Sequence, residues 1–400
     1  MADRFNNTWE PSQARPQRVG TGGSSTLGQP DRIYQRVTSG FEEHLGQAPP
    51  SRVGTNSSLD SGDLCILSLD GGGVRGLSSL LILENIMKRV NAAREARGDR
   101  ALKPCDMFDL IGGTSTGGLI AIMLGRLEMD VKECIDAYKA LMKKVFGDRK
   151  NLSKVSIDGE IRERYDVKKL EQAIVSVLQS RGIPKDEKFD NGVSRPCRTL
   201  VVARRVESKA EVAIQDFTLA GAMNYDQMTI VEAALATSAA STFFPPVTVG
   251  QRQYVDGALG SNNPVDIIWG IAQDIWAPDG GVKQRLGCLL SIGTGKPEFT
   301  AIETKAWKFL TKTLKSIATE TEETARAFER SNRDLMSRQR PRKYFRWNVE
   351  EGLSKVGLDE SDKQNIIEVA TIEYLTHSID RSSLLSECAE CLKASTDCKS

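Results

Sequence analysis

The stretch Leu64-Cys65-Ile66-Leu67-Ser68-Leu69-Asp70-Gly71-Gly72-Gly73-Val74-Arg75-Gly76 decides the fold. Its apolar run is short and unbroken, and it stops at an aspartate and three glycines. That pattern reads as a strand buried on both faces, since a half-exposed strand would alternate polar and apolar positions. Beyond it, Leu77, Leu80, Leu81, Ile86, Met87 and Val90 recur at helical spacing, with Lys88, Arg89 and Arg94 toward the end where the helix dipole favours cations. The unit is strand, glycine turn, helix.

The same order returns downstream. Met107-Phe108-Asp109-Leu110-Ile111 leads into Gly112 to Gly118, and then into Leu119-Ile120-Ala121-Ile122-Met123-Leu124. Thr199 to Val202, Glu211 to Phe217 and Leu286 to Ile292 read as further strands, and Ile230 to Ala240 as a helix. Two such units predict an α/β fold with a central, mostly parallel sheet and helices on both faces. The expected domain covers residues 63–296, where the sheet is expected to end, and residues 297–400 are expected to form a helical C-terminal region packed on it. Residues 1–62 are rich in Gly, Ser, Pro, Arg and Gln. They read as a disordered tail, because too little apolar surface is available to offset the entropy of ordering.

With 54 Lys and Arg against 53 Asp and Glu, the charge balance gives no basic surface for nucleic acid. No apolar run approaches the roughly 20 residues that span a bilayer, and the first residues lack the apolar core of a secretory leader, so a cytoplasmic protein is expected. Cys65, Cys134 and Cys288 sit in apolar stretches and read as small buried hydrophobes. Cys388-Ala-Glu-Cys391, with Cys398 after it, is half of a zinc pattern without its second pair of ligands. Neither a metal nor a cofactor is expected.

Gly113-Thr114-Ser115-Thr116-Gly117 is a G-x-S-x-G between a strand and a helix. Glycines on both sides permit the sharp turn that lifts a serine hydroxyl clear of a sheet for attack on a carbonyl; the plainer reading is a serine that caps a helix. Asp70 to Gly76 also contains G-x-G-x-x-G, the dinucleotide fingerprint. That reading expects an acidic residue about 20 positions on at the end of the next strand, and here those positions belong to one long helix. Amides of a glycine turn at a helix start bind any negative charge, including the oxyanion of a tetrahedral intermediate. The chain has two histidines, His44 in the tail and His377 in the late helical region, so a Ser-His-Asp triad is not expected. The remaining bases are carboxylates, and Tyr254-Val255-Asp256-Gly257-Ala258 sets an aspartate where a short strand meets a glycine. Alone, an Asp-Gly pair is most often a turn.

Taken in order, Asp70 to Gly76, Gly113 to Gly117 and Asp256-Gly257-Ala258 resemble the three motifs of patatin-like phospholipases. Ala236 to Ala240, Phe243-Phe244-Pro245-Pro246, Asn262-Asn263-Pro264 and Ser291 to Gly295 resemble further segments of that family, while Ser241 stands where many relatives have proline. The resemblance implies that Ser115 is the nucleophile and Asp256 its base. It implies an oxyanion hole built on Gly71, Gly72, Gly73 and Gly76, with Arg75 steadying the turn or an anionic substrate group. It places Gly113, Thr114, Thr116 and Gly117 in the nucleophile elbow, and Gly257 and Ala258 behind the aspartate. An acyl lipid is the implied substrate, with peripheral membrane contact; an acyltransferase, a small-ester hydrolase and a non-catalytic lipid sensor share the scaffold. An apolar stripe of Trp307, Leu310, Leu314 and Ile317 among lysines fits either packing on the sheet or such contact. Removing residues 1–60 is expected to leave cooperative melting unchanged, and loss of the transition in a thermal scan would contradict the reading of the tail.

Overall fold

The computed structural model describes residues 64–147, 165–219, 227–240, 243–276, 281–296, 305–337, 341–353 and 356–397, the side chains of 305–315 excepted. The expected tail, His44, Ser241, Cys398 and the side chains of Trp307, Leu310 and Leu314 lie outside the described residues.

In chain order the elements are β1 (Leu64–Leu69), α1 (Gly76–Glu95), α2 (Pro104–Met107), β2 (Leu110–Thr114), α3 (Thr116–Ala121), α4 (Val131–Phe146), α5 (Val167–Ser180), β3 (Arg198–Arg205) and β4 (Glu211–Gln215). Then follow α6 (Ile230–Ser238), β5 (Val247–Val249), β6 (Arg252–Asp256), α7 (Ala258–Ser261), α8 (Val265–Trp276), α9 (Val282–Arg285) and β7 (Leu286–Ile292). Last come α10 (Lys305–Ser331), β8 (Tyr344–Trp347), α11 (Gln364–Thr376) and α12 (Ile379–Asp397). Reciprocal side-chain to backbone bonds start two of the helices, Asp130 with Glu133 at α4 and Thr229 with Glu232 at α6.

The sheet runs β5-β6-β3-β2-β1-β7-β8, with β4 paired to β3. Strands β3, β2, β1, β7 and β8 are mutually parallel, while β4, β5 and β6 run antiparallel to their neighbours. The expectation that the sheet ends near residue 296 is corrected: β8 adds an edge strand from residues 344–347. Tyr-Phe-Arg-Trp carries an arginine among aromatics, and nothing in that short pattern marks it as a strand until β7 offers its backbone edge.

Alternate side chains of the strands feed two cores, as strand geometry requires. Cys65, Leu67, Leu69, Ile111, Val201, Leu290 and Phe345 pack toward α1, α3, α4, α6, α11 and α12. Leu64, Ile66, Leu110, Leu200, Leu289 and Tyr344 pack toward α8 and Phe328 of α10. The fold is therefore α/β with helices on both faces, and each fully buried aliphatic contributes about 1.5–3 kcal/mol relative to exposure.

One register positions the chemistry. Thr114 at the end of β2 pairs with Val202 of β3, and Asp256 at the end of β6 pairs with Ala203, the next residue. Since β4 occupies the opposite side of β3 over Leu200 to Arg204, β2 and β6 share one flank in succession. The chain after Thr114 leaves the sheet at the point where β6 takes up the vacated edge.

At the strand ends Asp70 is buried and ion-paired to Arg346 of β8 by two hydrogen bonds, 2.9 and 2.6 Å, and Arg346 also donates to Ser291 Oγ at 2.9 Å. Burial pushes the Asp70 carboxyl up and Arg346 opposes it. Burial alone would lower the guanidinium, but Asp70 holds it above its ordinary value. Arg346→Met is expected to destabilise the protein by about 3–5 kcal/mol, because it strands a buried carboxylate. Urea unfolding of Arg346→Met and of Arg346→Met/Asp70→Asn checks this: the second change should recover part of the loss.

Candidate active site

The candidate nucleophile owes its position to backbone strain. Ser115 adopts φ 56° and ψ −129° between β2 and α3, a region that non-glycine residues rarely enter. Gly113 and Gly117 let the chain close on itself there, since a Cβ on Gly113 would overlap the Gly117 backbone and one on Gly117 the carbonyl oxygens of Leu69 and Asp70. Two flanking bonds hold the turn. The Ser115 amide donates to Thr237 Oγ1 at 2.9 Å, whose hydroxyl donates to Val202 O at 2.7 Å, and Thr114 Oγ1 donates to Ser261 O at 2.7 Å.

The Ser115 hydroxyl donates to Asp256 Oδ2 at 2.6 Å across 141 residues of sequence. The other carboxylate oxygen, Oδ1, accepts from the Ala258 amide at 2.8 Å, and the Gly257 position lies against Val202 O too closely for a Cβ. Asp256 is 1% exposed. Burial pushes its carboxyl up to about 7, with the Ser115 and Ala258 bonds pulling only weakly against that, and no cation contributes. Among the described residues no histidine hydrogen bonds to Ser115 or Asp256; His377 is exposed at the C-terminal end of α11.

The glycine turn lies beside this pair. A Cβ on Gly71 would come within 2.9 Å of Ser115 Cβ. The Gly71 amide donates to Asn262 O at 3.1 Å, and its carbonyl accepts from Asn262 Nδ2 at 3.2 Å and Thr294 Oγ1 at 2.9 Å. Asn262 Nδ2 also donates to Thr321 Oγ1 of α10 at 2.9 Å, and the Val74 amide donates to Leu358 O at 2.8 Å. The Gly72 amide donates to Thr116 Oγ1 at 3.2 Å. Among the described residues the amides of Gly73 and Thr116 have no hydrogen-bond partner. Both lie in the first turn of a helical segment, where N–H groups have no intrahelical acceptor and attract negative charge.

Arg75 is buried with Nε and Nη1 unpartnered among the described residues, and burial lowers its guanidinium to about 10. Away from the site, Cys388 and Cys391 of α12 gather on Cys288 of β7, and Cys391 Sγ lies 3.1 Å from Gly287 O. No group of three His, Cys, Asp or Glu side chains among the described residues is arranged to hold a metal.

All three sequence motifs thus converge at the carboxyl ends of the central strands. Thr237, Asn262 and Thr294 fall in segments whose resemblance was legible but carried no role. Arg346, Leu358, Thr321 and Tyr138, which touch the glycine turn or its neighbours, have no local sequence signal at all.

A family model described as patatin-like phospholipase matches residues 67–269, about half of the chain. The chain belongs to the patatin-like phospholipase family. Patatin-like phospholipase 1 of Plasmodium falciparum is 28% identical over 336 residues, which cover 78% of this chain and 47% of that protein. Calcium-independent phospholipase A2-gamma of Homo sapiens is 27% identical over 324 residues, 78% of this chain and 38% of that protein. The cGAMP-activated phospholipase of Vibrio cholerae is 30% identical over 209 residues, 50% of this chain and 55% of its own. The chain spans less than half the length of the first two. No helix among the described residues is long and apolar enough to cross a membrane.

The raised Asp256 gives a stability prediction. A carboxyl titrating near 7 when folded and near 3.9 when unfolded holds more protons in the folded state between those values, so it costs stability as pH rises through that window. Asp256→Asn removes the cost. Its unfolding free energy relative to wild type is expected to rise by a few kcal/mol, on the order of the linkage value, between about pH 4 and 7, and to level off above. A difference independent of pH in chemical denaturation would contradict the assignment.

Proposed function

We propose that the protein hydrolyses carboxylic ester bonds of phospholipids or related acyl lipids through a Ser115–Asp256 dyad and an acyl-enzyme intermediate. The observation that carries the reading is the 2.6 Å bond from the strained Ser115 hydroxyl to a buried, cation-free carboxylate. Membership of the family and the phospholipase names of its relatives support the substrate class.

The chemistry follows from these positions. As Ser115 Oγ bonds to the ester carbon, its proton passes to Asp256 Oδ2 and the carbonyl π electrons move to oxygen. The amides of Gly73 and Thr116, unpartnered among the described residues, are the donors for that oxyanion. Gly72, held at 3.2 Å by Thr116, joins them only by giving up that bond. Collapse breaks the C–O bond, and the leaving alkoxide takes the proton from Asp256. Water then attacks the acyl group, gives its proton to Asp256, and Ser115 leaves with that proton.

A base near 7 suits this cycle: the carboxyl, raised by burial, is more basic than an ordinary aspartate and a large fraction of it is ionised at neutral pH. Arg75, buried without a carboxylate, supplies positive charge for an anionic substrate group. Ile366, Val369 and Ile372 form an exposed apolar row on α11, which follows the Leu358 segment against the glycine turn. This supports contact with the surface of a lipid aggregate.

Wild type is expected to bind a fluorophosphonate covalently, Ser115→Ala to lose the label, and Asp256→Asn to stay folded yet lose turnover by a factor on the order of 1000. His377→Ala should keep most activity. With a soluble ester, kcat/KM should fall as pH drops through about 7, where the base becomes protonated. An active, folded Asp256→Asn would remove the base, and labelling of Ser115→Ala would remove the nucleophile.

A further inference from the structure

We infer that Tyr138 is a positioning residue that aims the Gly73 amide at the reacting carbonyl oxygen. The inference rests on reading this site as an acyl-transfer centre. Tyr138 lies on α4, 1% exposed, and its ring is packed in the larger core. Its hydroxyl donates to the carbonyl oxygen of Gly73. The Gly76 amide donates to the same Gly73 carbonyl and to Val74 O, and Gly76 and Thr116 both lie beside the phenol oxygen.

The arrangement acts on three consecutive peptide units of the turn. Thr116 Oγ1 accepts from the amide of Gly72, and so fixes the peptide before the Gly72–Gly73 unit. Tyr138 fixes the peptide after it, through Gly73 O. The middle unit carries the Gly73 N–H, which has no partner among the described residues; its carbonyl accepts from the Arg75 amide at 3.2 Å, and the two clamped neighbours fix it from either side. Gly73 sits at φ 56°, a conformation open chiefly to glycine, and the Val74 amide on Leu358 O helps Tyr138 hold the unit that follows it. The hydroxyl also explains Gly76: a Cβ there would fall on the Tyr138 oxygen. Thr116 thereby links the serine elbow to the glycine turn, with Tyr138 beneath both.

An interaction that sets a donor's direction affects the state in which negative charge has formed on oxygen more than the bound ester, so it acts on kcat. Tyr138→Phe keeps the ring and removes the donor. With a soluble ester, its kcat is expected to fall about tenfold with KM within about twofold. Ki for a trifluoromethyl ketone, which forms an oxyanion on Ser115, should rise by the same factor. Thr116→Val should behave likewise, Thr116→Ser should restore activity, and Tyr138→Phe/Thr116→Val should cost less than the product of the single effects.

Unchanged kcat and Ki in folded Tyr138→Phe would overturn the inference, as would a loss carried by KM alone; Ser115→Ala, inactive in the same assay, shows that the acyl-transfer reading still stands in either case. Should Tyr138→Phe fail to fold, Thr116→Val against Thr116→Ser decides the same question. If wild-type turnover survives Ser115→Ala, the acyl-transfer reading itself fails and this inference falls with it.

Discussion

Everything at the site depends on one close backbone approach, that of the start of α3 to the end of β1. Gly117 lies so near the Leu69 and Asp70 carbonyls that any side chain there would collide with them. This contact brings the serine turn and the glycine turn, which follow neighbouring parallel strands, within reach of one reacting group. The candidate site lies at the carboxyl ends of β1, β2 and β7, where the chain passes from one side of β1 to the other, the usual location for a site in an open α/β sheet.

Two buried aspartates at these strand ends are treated in opposite ways. Asp70 is matched to Arg346 by a two-point ion pair and anchors the root of the glycine turn. Asp256 has only a hydroxyl and one amide. In a medium of low polarity a carboxylate without a cation is held uphill, and that uncompensated burial is what raises its basicity. The same burial that costs stability at Asp256 is tolerable because the two cores supply stability elsewhere.

The glycine turn is supported largely from beyond the residues that match the family model. Arg346 of β8 holds Asp70, Leu358 O holds the Val74 amide, Thr321 of α10 bonds to Asn262, and Asn348 Oδ1 accepts from the Gly295 amide at 2.7 Å. The late part of the chain completes the sheet and braces the turn from the β7 side, which ties the geometry of the candidate oxyanion hole to the folding of the C-terminal region.

By itself the sequence determined what local pattern and glycine placement dictate. Leu64 to Leu69 and Leu286 to Ile292 are strands because unbroken apolar runs of that length bury on two faces, and Ser115 stands at an elbow because glycines flank it between a strand and a helix. Motif order identified Ser115, Asp256 and the glycine turn as one candidate set. Only the tertiary structure decided that β6 follows β2 along the same flank of β3, so that Ser115, next after the residue paired to Val202, donates to Asp256, which pairs with Ala203. It alone decided that Tyr344 to Trp347 form a strand, and that Arg346 and Tyr138 reach the glycine turn from distant elements. The physical reason is common to these cases: each depends on a partner far away in the chain, whose contact leaves no periodicity or turn signature in the residues around it.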